Sequence, residues 1–496
     1  LSAAEQAQLS GSGMAVETIE VMAMTTPMIM VQAPLTPITG TGMMGPRVRL
    51  MGMGSPMHGK PMLMGNGQST VLSLRTHRVD VMGLQIDGGQ VGVDVRQMPM
   101  GMAMMEMAML MDCDLQGQTA AGVRLHGMGN DESMLMTMRS TFANMPVAYR
   151  LEDQTTGTGL LMSEAEFVTM TNVGVGADVQ DDGSGLMSMW MLFRSSFQGE
   201  TLCKLRRAPS SANQFMFRIV HSDAACSGDV TDVQGNTAGL TMFHHHHGDF
   251  VAAPGRKAFW VYPRTAVFDV HGSEMVFEGD VSIAGNAFSP RTWQQNNVYK
   301  NGAVTYDCDG ALPNLLWNTY ENVQFSVPAS ARSPVRIRQS ELYNTTVDGQ
   351  SLLATTSVLG SYRQGGAVTG LATESSPAPN RFLGHTNVGP AQPQIGTTMQ
   401  LQADMPFGVG AFWDFAWSYS RPTTTAEPVR FYGDPASAVI LPGMVVFTSN
   451  TNVPLPNNGA LVGMELYVQA VTIPLLGQSW MPAFHLPRGQ LVRPRM

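Results

Sequence analysis

The sequence predicts an all-β protein built from tandem β-sandwich domains, jelly-roll or immunoglobulin-like, with long Gly/Pro-rich loops. Short segments with alternating apolar and polar residues recur along the chain, as expected of half-buried strands. With 52 Gly and 30 Pro, turn-forming residues are frequent enough to join such strands. At 496 residues the chain exceeds what one hydrophobic core usually holds, so several domains are expected. No fixed-period repeat is visible in the residue types, so a solenoid or a propeller is not predicted.

Composition and turn content divide the chain into five predicted segments. In the first, Ser2 and Glu5 have the spacing of a capping box, which predicts one short helix. The segments are an N-terminal arm or loop region (1–67), a methionine-rich β-domain (68–243), a middle β-domain (244–369), a linker (370–392) and a C-terminal β-sandwich domain (393–496).

Within the two central β-domains, alternation and turn residues predict the positions of the strands. In the methionine-rich domain they include Thr70–Leu74, Arg78–Ile86, Gln90–Val95, Ala120–Leu125 and Phe215–Val220. In the middle domain they include Ala258–Tyr262, Ala266–Val270, Gln324–Val327 and Val335–Arg338.

Charge and cysteine content narrow the class of protein. The formal net charge is −9, whereas a nucleic-acid surface needs clustered positive charge, so no nucleic-acid partner is expected. No apolar run reaches the length of a membrane span. The four cysteines, Cys113, Cys203, Cys226 and Cys308, allow three disulfide pairings among which the sequence does not choose; Cys203–Cys226 closes the shortest plausible loop and is the predicted pair.

Two features suggest a metal. Of the 40 methionines, 33 lie in residues 1–250, and thioethers are the soft ligands that copper(I) prefers. The second feature is a run of four histidines that begins at His244. Because neighbouring residues of a strand face opposite sides, only alternate histidines can share one ion. A zinc or copper site would therefore combine one alternate pair, His244 with His246 or His245 with His247, with Asp249 or His271.

Short acidic turns are candidates for calcium. Asp307 and Asp309 flank Cys308 just before a glycine, in a turn of the kind that holds calcium in extracellular proteins. Neither this turn nor the one at Asp181 and Asp182 has the full ligand spacing with a distal bidentate Glu. Plain Asp-Gly turns are the favoured alternative.

An aromatic row near the C-terminus has two interpretations. Period-2 alternation places Trp413, Trp417 and Tyr419 on one side of a predicted strand. Such a row can stack on sugar rings as a carbohydrate platform, or fill the core of a sandwich, which is the commoner role.

Motifs for hydrolytic chemistry are missing. The sequence contains no Gly-x-Ser-x-Gly elbow and no His-Glu-x-x-His pair. Carboxylate pairs such as Asp269 with Glu274 or Glu278 have the residue types that a glycosidase needs.

The last hundred or so residues resemble the closing β-domain of many large secreted proteins of environmental bacteria. The matching pieces are Gly384–Gly396, a strand at Thr397–Ala403, an apolar strand at Ala411–Ser420, the turn and strand of Pro454–Ala470, and a short strand at Gln490–Arg493. The chain departs from the pattern at Trp480–Pro487, where prolines interrupt the segment. The resemblance implies export, a small β-sandwich and a non-catalytic role in attachment or assembly.

These observations support one leading hypothesis and three alternatives. The leading hypothesis is a secreted or cell-surface structural or attachment protein that self-associates. The alternatives are a secreted hydrolase of a polysaccharide or polyester, a jelly-roll viral capsid protein, and a copper-binding extracellular protein. Copper, zinc and calcium are the candidate cofactors, and a polysaccharide is the candidate ligand.

Overall fold

The computed structural model describes most of the chain between its first strand and residue 375, and parts of the segment beyond. The described residues are 16–22, 28–31, 47–54, 59–75, 79–96, 107–287, 293–295, 297–310, 314–316, 318–338, 340–375, 386–389, 393–403, 411–418, 439–440, 450–462, 464, 466–474 and 490–492.

Strands make up nearly all of the regular structure. The first group is β1 (Val16–Met22), β2 (Met28–Val31), β3 (Arg47–Met53), β4 (Met62–Gly65), β5 (Thr70–Leu74), β6 (Val79–Met82), β7 (Gln85–Asp87), β8 (Val91–Val95), β9 (Ala108–Met111), β10 (Asp114–Gln116), β11 (Ala121–Gly129) and β12 (Glu132–Met138). The second is β13 (Thr141–Thr155), β14 (Leu160–Glu166), β15 (Thr169–Asp181), β16 (Met187–Phe193), β17 (Ser196–Arg207), β18 (Gln214–Val220), β19 (Asp223–Cys226), β20 (Thr231–Gln234), β21 (Thr241–Ala252), β22 (Lys257–Tyr262), β23 (Val267–Glu278) and β24 (Asp280–Ala287).

Most of the remaining strands are short. They are β25 (Trp293–Gln295), β26 (Val298–Lys300), β27 (Ala303–Gly310), β28 (Asn314–Leu316), β29 (Thr319–Glu321), β30 (Gln324–Val327), β31 (Val335–Arg338), β32 (Glu341–Tyr343), β33 (Thr346–Gly349), β34 (Thr356–Leu359), β35 (Tyr362–Gln364), β36 (Ala367–Gly370), β37 (Thr373–Ser375), β38 (Thr386–Gly389), β39 (Thr398–Ala403), β40 (Ala411–Ser418), β41 (Val439–Ile440), β42 (Asn450–Pro454), β43 (Leu466–Pro474) and β44 (Gln490–Val492). A short 3₁₀-helix covers Gly459–Leu461.

Strands β1–β37 pair in parallel with strands one coil away, so the chain winds as a parallel β-solenoid. Each coil contributes to three faces. The first face stacks β3, β6, β9, β12, β14, β16, β18 and the start of β21; the second stacks β4, β7, β10, the starts of β13, β15 and β17, then β19; the third stacks β5, β8, β11, the ends of β13, β15 and β17, then β20, β22 and β24.

This architecture overturns the predicted fold class. The protein is all-β, as predicted, but the tandem β-sandwich, jelly-roll or immunoglobulin-like, was wrong. Sandwiches of those types are built from antiparallel pairs, whereas β1–β37 are paired in parallel. Alternation of apolar and polar residues shows which side of a strand is buried, and it is the same for both pairing directions. The jelly-roll capsid hypothesis fails with the fold on which it depended.

The exclusion of a solenoid was also wrong, because the repeat lies in backbone conformation. Between the first and second faces each coil turns at one residue with positive φ, and the turning residues in successive coils are Asp112, Arg139, Phe167, Arg194, His221 and His247. Their spacings of 27, 28, 27, 27 and 26 residues define the coil length. Because these six residues belong to four chemically different types, the repeat is not visible in the residue types.

The interior of the coils is filled by large aromatic side chains. Tyr149, Trp190, Phe217 and Phe243 are each at most 1% exposed, and the ring centroids of consecutive members lie 5.7–6.1 Å apart. The cysteines belong to the same interior. All four are buried and free, so the predicted Cys203–Cys226 disulfide was wrong. Cys203 stacks in register with Ala177 and Thr231 of adjacent coils, not with Cys226.

The chain consists of two compact units. Unit 1 comprises Leu1–Val270, Glu278–Pro290 and Thr305–Ala311 and contains the wider coils. Unit 2 comprises His271–Phe277, Arg291–Val304 and Leu312–Met496. Its coils are shorter, because Trp293 pairs with Asn314 and Asn314 with Arg336, a spacing of 21 and then 22 residues.

Unit 2 also contains two antiparallel sheets, of order β38-β39-β42 and β41-β40-β43-β44. The predicted strands at 397–403, 411–420 and 490–493 are confirmed as β39, β40 and β44. Within the predicted turn and strand of Pro454–Ala470, the 3₁₀-helix comes first, and β43 starts at Leu466. The described residues contain no helix that is long and apolar enough to cross a membrane.

Candidate functional site

The outer side of the third face in unit 1 carries an ordered set of polar side chains. Inward residues of these strands, such as Leu125, Leu151 and Val261, are at most 1% exposed. Residues that alternate with them point outward and, apart from the buried Asp94, are partly or fully exposed. We call these outward residues the polar face; they are Asp94, Arg124, His126, Arg150, Glu152, Asp178, Gln180, Lys204, Arg206, Asp232, Gln234, Trp260 and Tyr262.

Parallel pairing arranges the polar face in two columns. In one column the register joins Asp94, Arg124, Arg150, Asp178, Lys204 and Asp232. In the other it joins His126, Glu152, Gln180, Arg206, Gln234 and Tyr262. Neighbouring strands lie about 4.8 Å apart. Cationic, anionic and amide side chains therefore follow one another at this interval over successive coils.

At one end of the polar face an aromatic pair lies beside an ion pair. The rings of Trp260 and Tyr262 are stacked, with centroids 4.1 Å apart and planes inclined by 25°. Tyr262 donates its hydroxyl hydrogen to Asp232 Oδ1 at 2.9 Å, and Arg206 is ion-paired with the other oxygen of that carboxylate. The Lys257 ammonium lies 5.1 Å from the Trp260 ring centroid.

These contacts fix the aromatic end in one arrangement. Partial burial and the hydrogen bond to the Asp232 carboxylate raise the pKa of Tyr262 to about 12. Its phenol therefore stays neutral and keeps donating at every physiological pH. Asp232 is held from two sides and is 15% exposed, whereas Arg206 is 36% exposed. Two rings and a guanidinium are thus presented outward on a rigid sheet, which suits a ligand with both hydroxyl groups and apolar faces.

The other end of the polar face is purely ionic. Asp94 accepts hydrogen bonds from Arg75 Nη2 and Arg124 Nε, both at 2.6 Å, and His126 Nε2 lies 3.6 Å from the same carboxylate. Burial disfavours the charged form, but the interactions with His126, Arg124 and Arg75 outweigh it and hold the pKa of Asp94 well below its ordinary value.

The predicted histidine site is placed on β21 and β23. His244, His246 and Asp249 lie on β21, where His246 is buried at 2% exposure while His244 and Asp249 are partly exposed. A ligand nitrogen of His244 and a carboxylate oxygen of Asp269 come within 4.8 Å of each other. His271 follows Asp269 by two residues on β23. Asp269 is therefore an acidic residue whose carboxylate lies near a His244 nitrogen, whereas the prediction named Asp249 as the acidic ligand. Metal binding by these histidines stays a prediction.

The two aspartates predicted to bind calcium contact a guanidinium in unit 1. Arg264 Nε lies 3.3 Å from Asp307 Oδ1, and Arg264 Nη2 lies 2.8 Å from Asp309 Oδ1. A cation at this position would have to compete with Arg264 for both carboxylates. The calcium site itself stays a prediction.

The predicted carbohydrate platform lies in the C-terminal part of unit 2. Trp413 and Trp417 belong to β40, which pairs with β43 in an antiparallel ladder. Tyr419 lies outside the described residues. The platform therefore stays a prediction.

Sequence reasoning overlooked the polar face, although a signal for it exists. Each strand of this face has two outward polar or aromatic residues separated by one inward residue, and the first members are Arg124, Arg150, Asp178, Lys204, Asp232 and Trp260. Their spacings are 26, 28, 26, 28 and 28 residues. A search for this polar–apolar–polar triplet at a period near the coil length would have found it.

Comparisons with known proteins add little to this geometry. No family model matches the chain, and no curated protein matches it. Among solved structures, a match covers 96% of this chain and 82% of a tailspike protein gp49 from Acinetobacter baumannii bacteriophage Fri1, a capsular polysaccharide depolymerase. The identity is 10% and the TM-score 0.20. With so little superposition, this match does not establish the fold or the function of the chain.

Proposed function

We propose that the protein binds a polysaccharide outside the cell and that the polar face of unit 1 is the binding surface. The observation that supports this is the in-register repetition of outward polar groups on successive coils, ending in the stacked Trp260 and Tyr262. The extracellular location is part of the proposal, and it rests on the C-terminal sequence resemblance.

A repeating surface suits a repeating ligand. Along the first column the formal charge changes sign between Arg150, Asp178, Lys204 and Asp232. Such a column presents both hydrogen-bond donors and acceptors, and sugar hydroxyl groups can pair with either. A linear polymer that crosses the strands would meet two outward polar or aromatic side chains at every coil.

The aromatic end supplies the contact that charged groups cannot. The faces of pyranose rings are apolar, and aromatic side chains bury such faces effectively. Trp260 and Tyr262 are partly exposed, and contacts with Lys257, Asp232 and Arg206 hold them in place before any ligand arrives. Pre-organisation reduces the entropic cost of binding.

The charge balance favours an uncharged polymer. Cationic and anionic groups are mixed on the polar face, so a polyanion would meet repulsion from Asp178, Glu152 and Asp232. The whole chain has a formal charge of −9, which also opposes long-range attraction of a polyanion. We therefore infer that a neutral hexose polymer is preferred over a uronic-acid polymer.

Substitution of both rings tests the proposal. Each aromatic contact contributes roughly 1 kcal/mol or more, so Trp260→Ala combined with Tyr262→Ala should weaken binding of a neutral glucan by about tenfold or more. Affinity electrophoresis in gels containing the glucan or a uronic-acid polymer, followed by calorimetry, measures this effect. Tyr362→Ala removes a partly exposed tyrosine in unit 2 and should leave binding unchanged.

Equal retardation of the double variant and the wild type would place binding elsewhere and contradict the proposal. A wild-type chain that is retarded by neither the glucan nor the uronic-acid polymer would contradict the proposal as well. Assaying reducing ends in the same mixtures tests the hydrolase alternative, because their release would show cleavage in addition to binding. Self-association, the other part of the leading sequence hypothesis, stays a prediction.

A further inference from the structure

A compact cluster of methionines lies on the outer side of the first face in unit 1, away from the polar face. Met134, Met162 and Leu160 are at most 8% exposed, and four partly buried methionines pack against them. The register stacks Met134 on Met162 and Met162 on Met189 in three successive strands. The methionine cluster, as defined here, comprises Met107, Met134, Met162, Met187, Met189 and Met191.

The solenoid interior does not require these methionines. On β16, Ser188, Trp190 and Leu192 point inward and are 0% exposed, whereas Met187, Met189 and Met191 alternate with them and are partly exposed. Branched and aromatic residues fit a pleated surface best, and methionine has no special advantage there. What the six side chains share is a thioether sulfur.

The strand geometry allows several sulfurs to reach one point. Neighbouring strands lie about 4.8 Å apart, and methionine is unbranched with flexible torsions, so thioethers from three successive strands can converge. Exposure rises across the stack, from Met134 at 0% and Met162 at 8% to the partly exposed Met189. The cluster is therefore closed on one side and accessible on the other.

Thioethers select a particular ion. Soft sulfur ligands favour copper(I), whereas zinc prefers nitrogen and thiolate, and calcium and magnesium prefer oxygen. The cysteines are poor competitors for copper(I), because Cys113 and Cys203 are 0% exposed and burial raises the pKa of the Cys113 thiol to about 11. Glu164 lies on the same outer side, in register between Met136 and Met191, and places a carboxyl group near the cluster.

We propose that the methionine cluster binds one copper(I) ion through the thioethers of Met134, Met162 and Met189. This site is separate from the polar face, so its test is independent of polysaccharide binding. It also differs from the histidine site predicted around His244, because it uses sulfur ligands only.

The test is an anaerobic titration of the full-length chain with copper(I) in ascorbate, against the chromophoric chelator bicinchoninate. The wild type should withdraw one equivalent of copper(I), and X-ray absorption should show sulfur neighbours only. The triple variant Met134→Leu, Met162→Leu, Met189→Leu conserves side-chain volume, so it should fold normally and lose this uptake. Circular dichroism and thermal unfolding check its fold.

Matched variants separate the cluster from the other candidates. Met51→Leu, Met64→Leu and Met82→Leu change three partly buried methionines outside the cluster and should leave uptake unchanged. His244→Ala should also leave it unchanged. Full uptake by the folded triple variant, no uptake by the wild type, or loss of uptake in the His244 variant would each overturn the proposal.

Discussion

Replacing Arg207 with leucine is expected to lower the free energy of unfolding by about 3–5 kcal/mol, the usual cost of removing one partner from a buried ion pair. The side chains of Arg207 and Asp181 are both 0% exposed, and Arg207 Nε lies 2.6 Å from Asp181 Oδ2. Water cannot replace the lost partner at this depth, so Asp181 would keep an uncompensated charge. Urea unfolding followed by tryptophan fluorescence measures the loss.

The network around Arg207 explains why the effect should be large. Its Nη1 donates to Thr241 Oγ1 at 3.0 Å and its Nη2 to the backbone oxygen of Asn213 at 2.7 Å. The Asn213 amide in turn donates to Asp153 Oδ2 at 2.6 Å. Burial lowers the pKa of Arg207 and raises that of Asp181, so each charge depends on the other. One substitution therefore disturbs contacts to three coils.

Two further variants check this explanation. Arg139→Leu removes a guanidinium from an ion pair with Asp112 at 3.2 Å, but those side chains are 57% and 45% exposed. The Arg139→Leu substitution should lower the free energy of unfolding by at most about 1 kcal/mol. Replacing Arg207 and Asp181 together with apolar residues should cost less than replacing Arg207 alone, because no unpaired charge remains. An Arg207→Leu variant as stable as the wild type would mean that the ion pair contributes nothing to the free energy of unfolding.

Asp94→Asn is expected to lower the free energy of unfolding by about 1.5–3 kcal/mol at neutral pH, since it weakens hydrogen bonds between charged groups. The loss should be smaller than for Arg207, because Arg75 and Arg124 are 27% and 34% exposed and water can solvate them. Asp112→Asn is the matched control: Asp112 is an exposed aspartate with φ of 52°, a conformation that Asn adopts readily.

The same variant predicts a pH dependence. The folded pKa of Asp94 lies below its ordinary value of 3.8, so its contribution to stability is present above that pH and is lost as the pH falls further. The difference in unfolding free energy between wild type and Asp94→Asn should therefore be constant from neutral pH down to about 4 and shrink below it. A difference that grows on acidification would contradict this assignment.

Several strands were predictable because alternation is local. Thr70–Leu74, Gln324–Val327 and Val335–Arg338 were predicted with the bounds that the structure shows. The segment Arg78–Ile86 was predicted as one strand, but it contains a corner at Gly83, with φ of 65°, between β6 and β7. A single glycine among alternating residues does not indicate that the chain turns there from one face of the solenoid to the next.

The candidate sites were less predictable because they combine residues from different coils. Trp260 and Tyr262 lie in a strand whose position was predicted, yet Asp232 comes from the strand one coil earlier and Arg206 from the strand two coils earlier. In the same way, the sequence shows that methionines are concentrated in the first half of the chain. Only the strand register shows that Met134, Met162 and Met189 are stacked.

The sequence by itself determined that the chain is all-β, which residues of many strands face inward, and that methionines concentrate in its first half. The tertiary structure alone decided that the strands pair in parallel as a solenoid, with the cysteines free inside it. The physical reason is that side-chain alternation has the same period for either pairing direction. The corners at which the coils turn are equally hidden, because Arg139, Phe167 and His221 share a positive φ without sharing any side-chain chemistry.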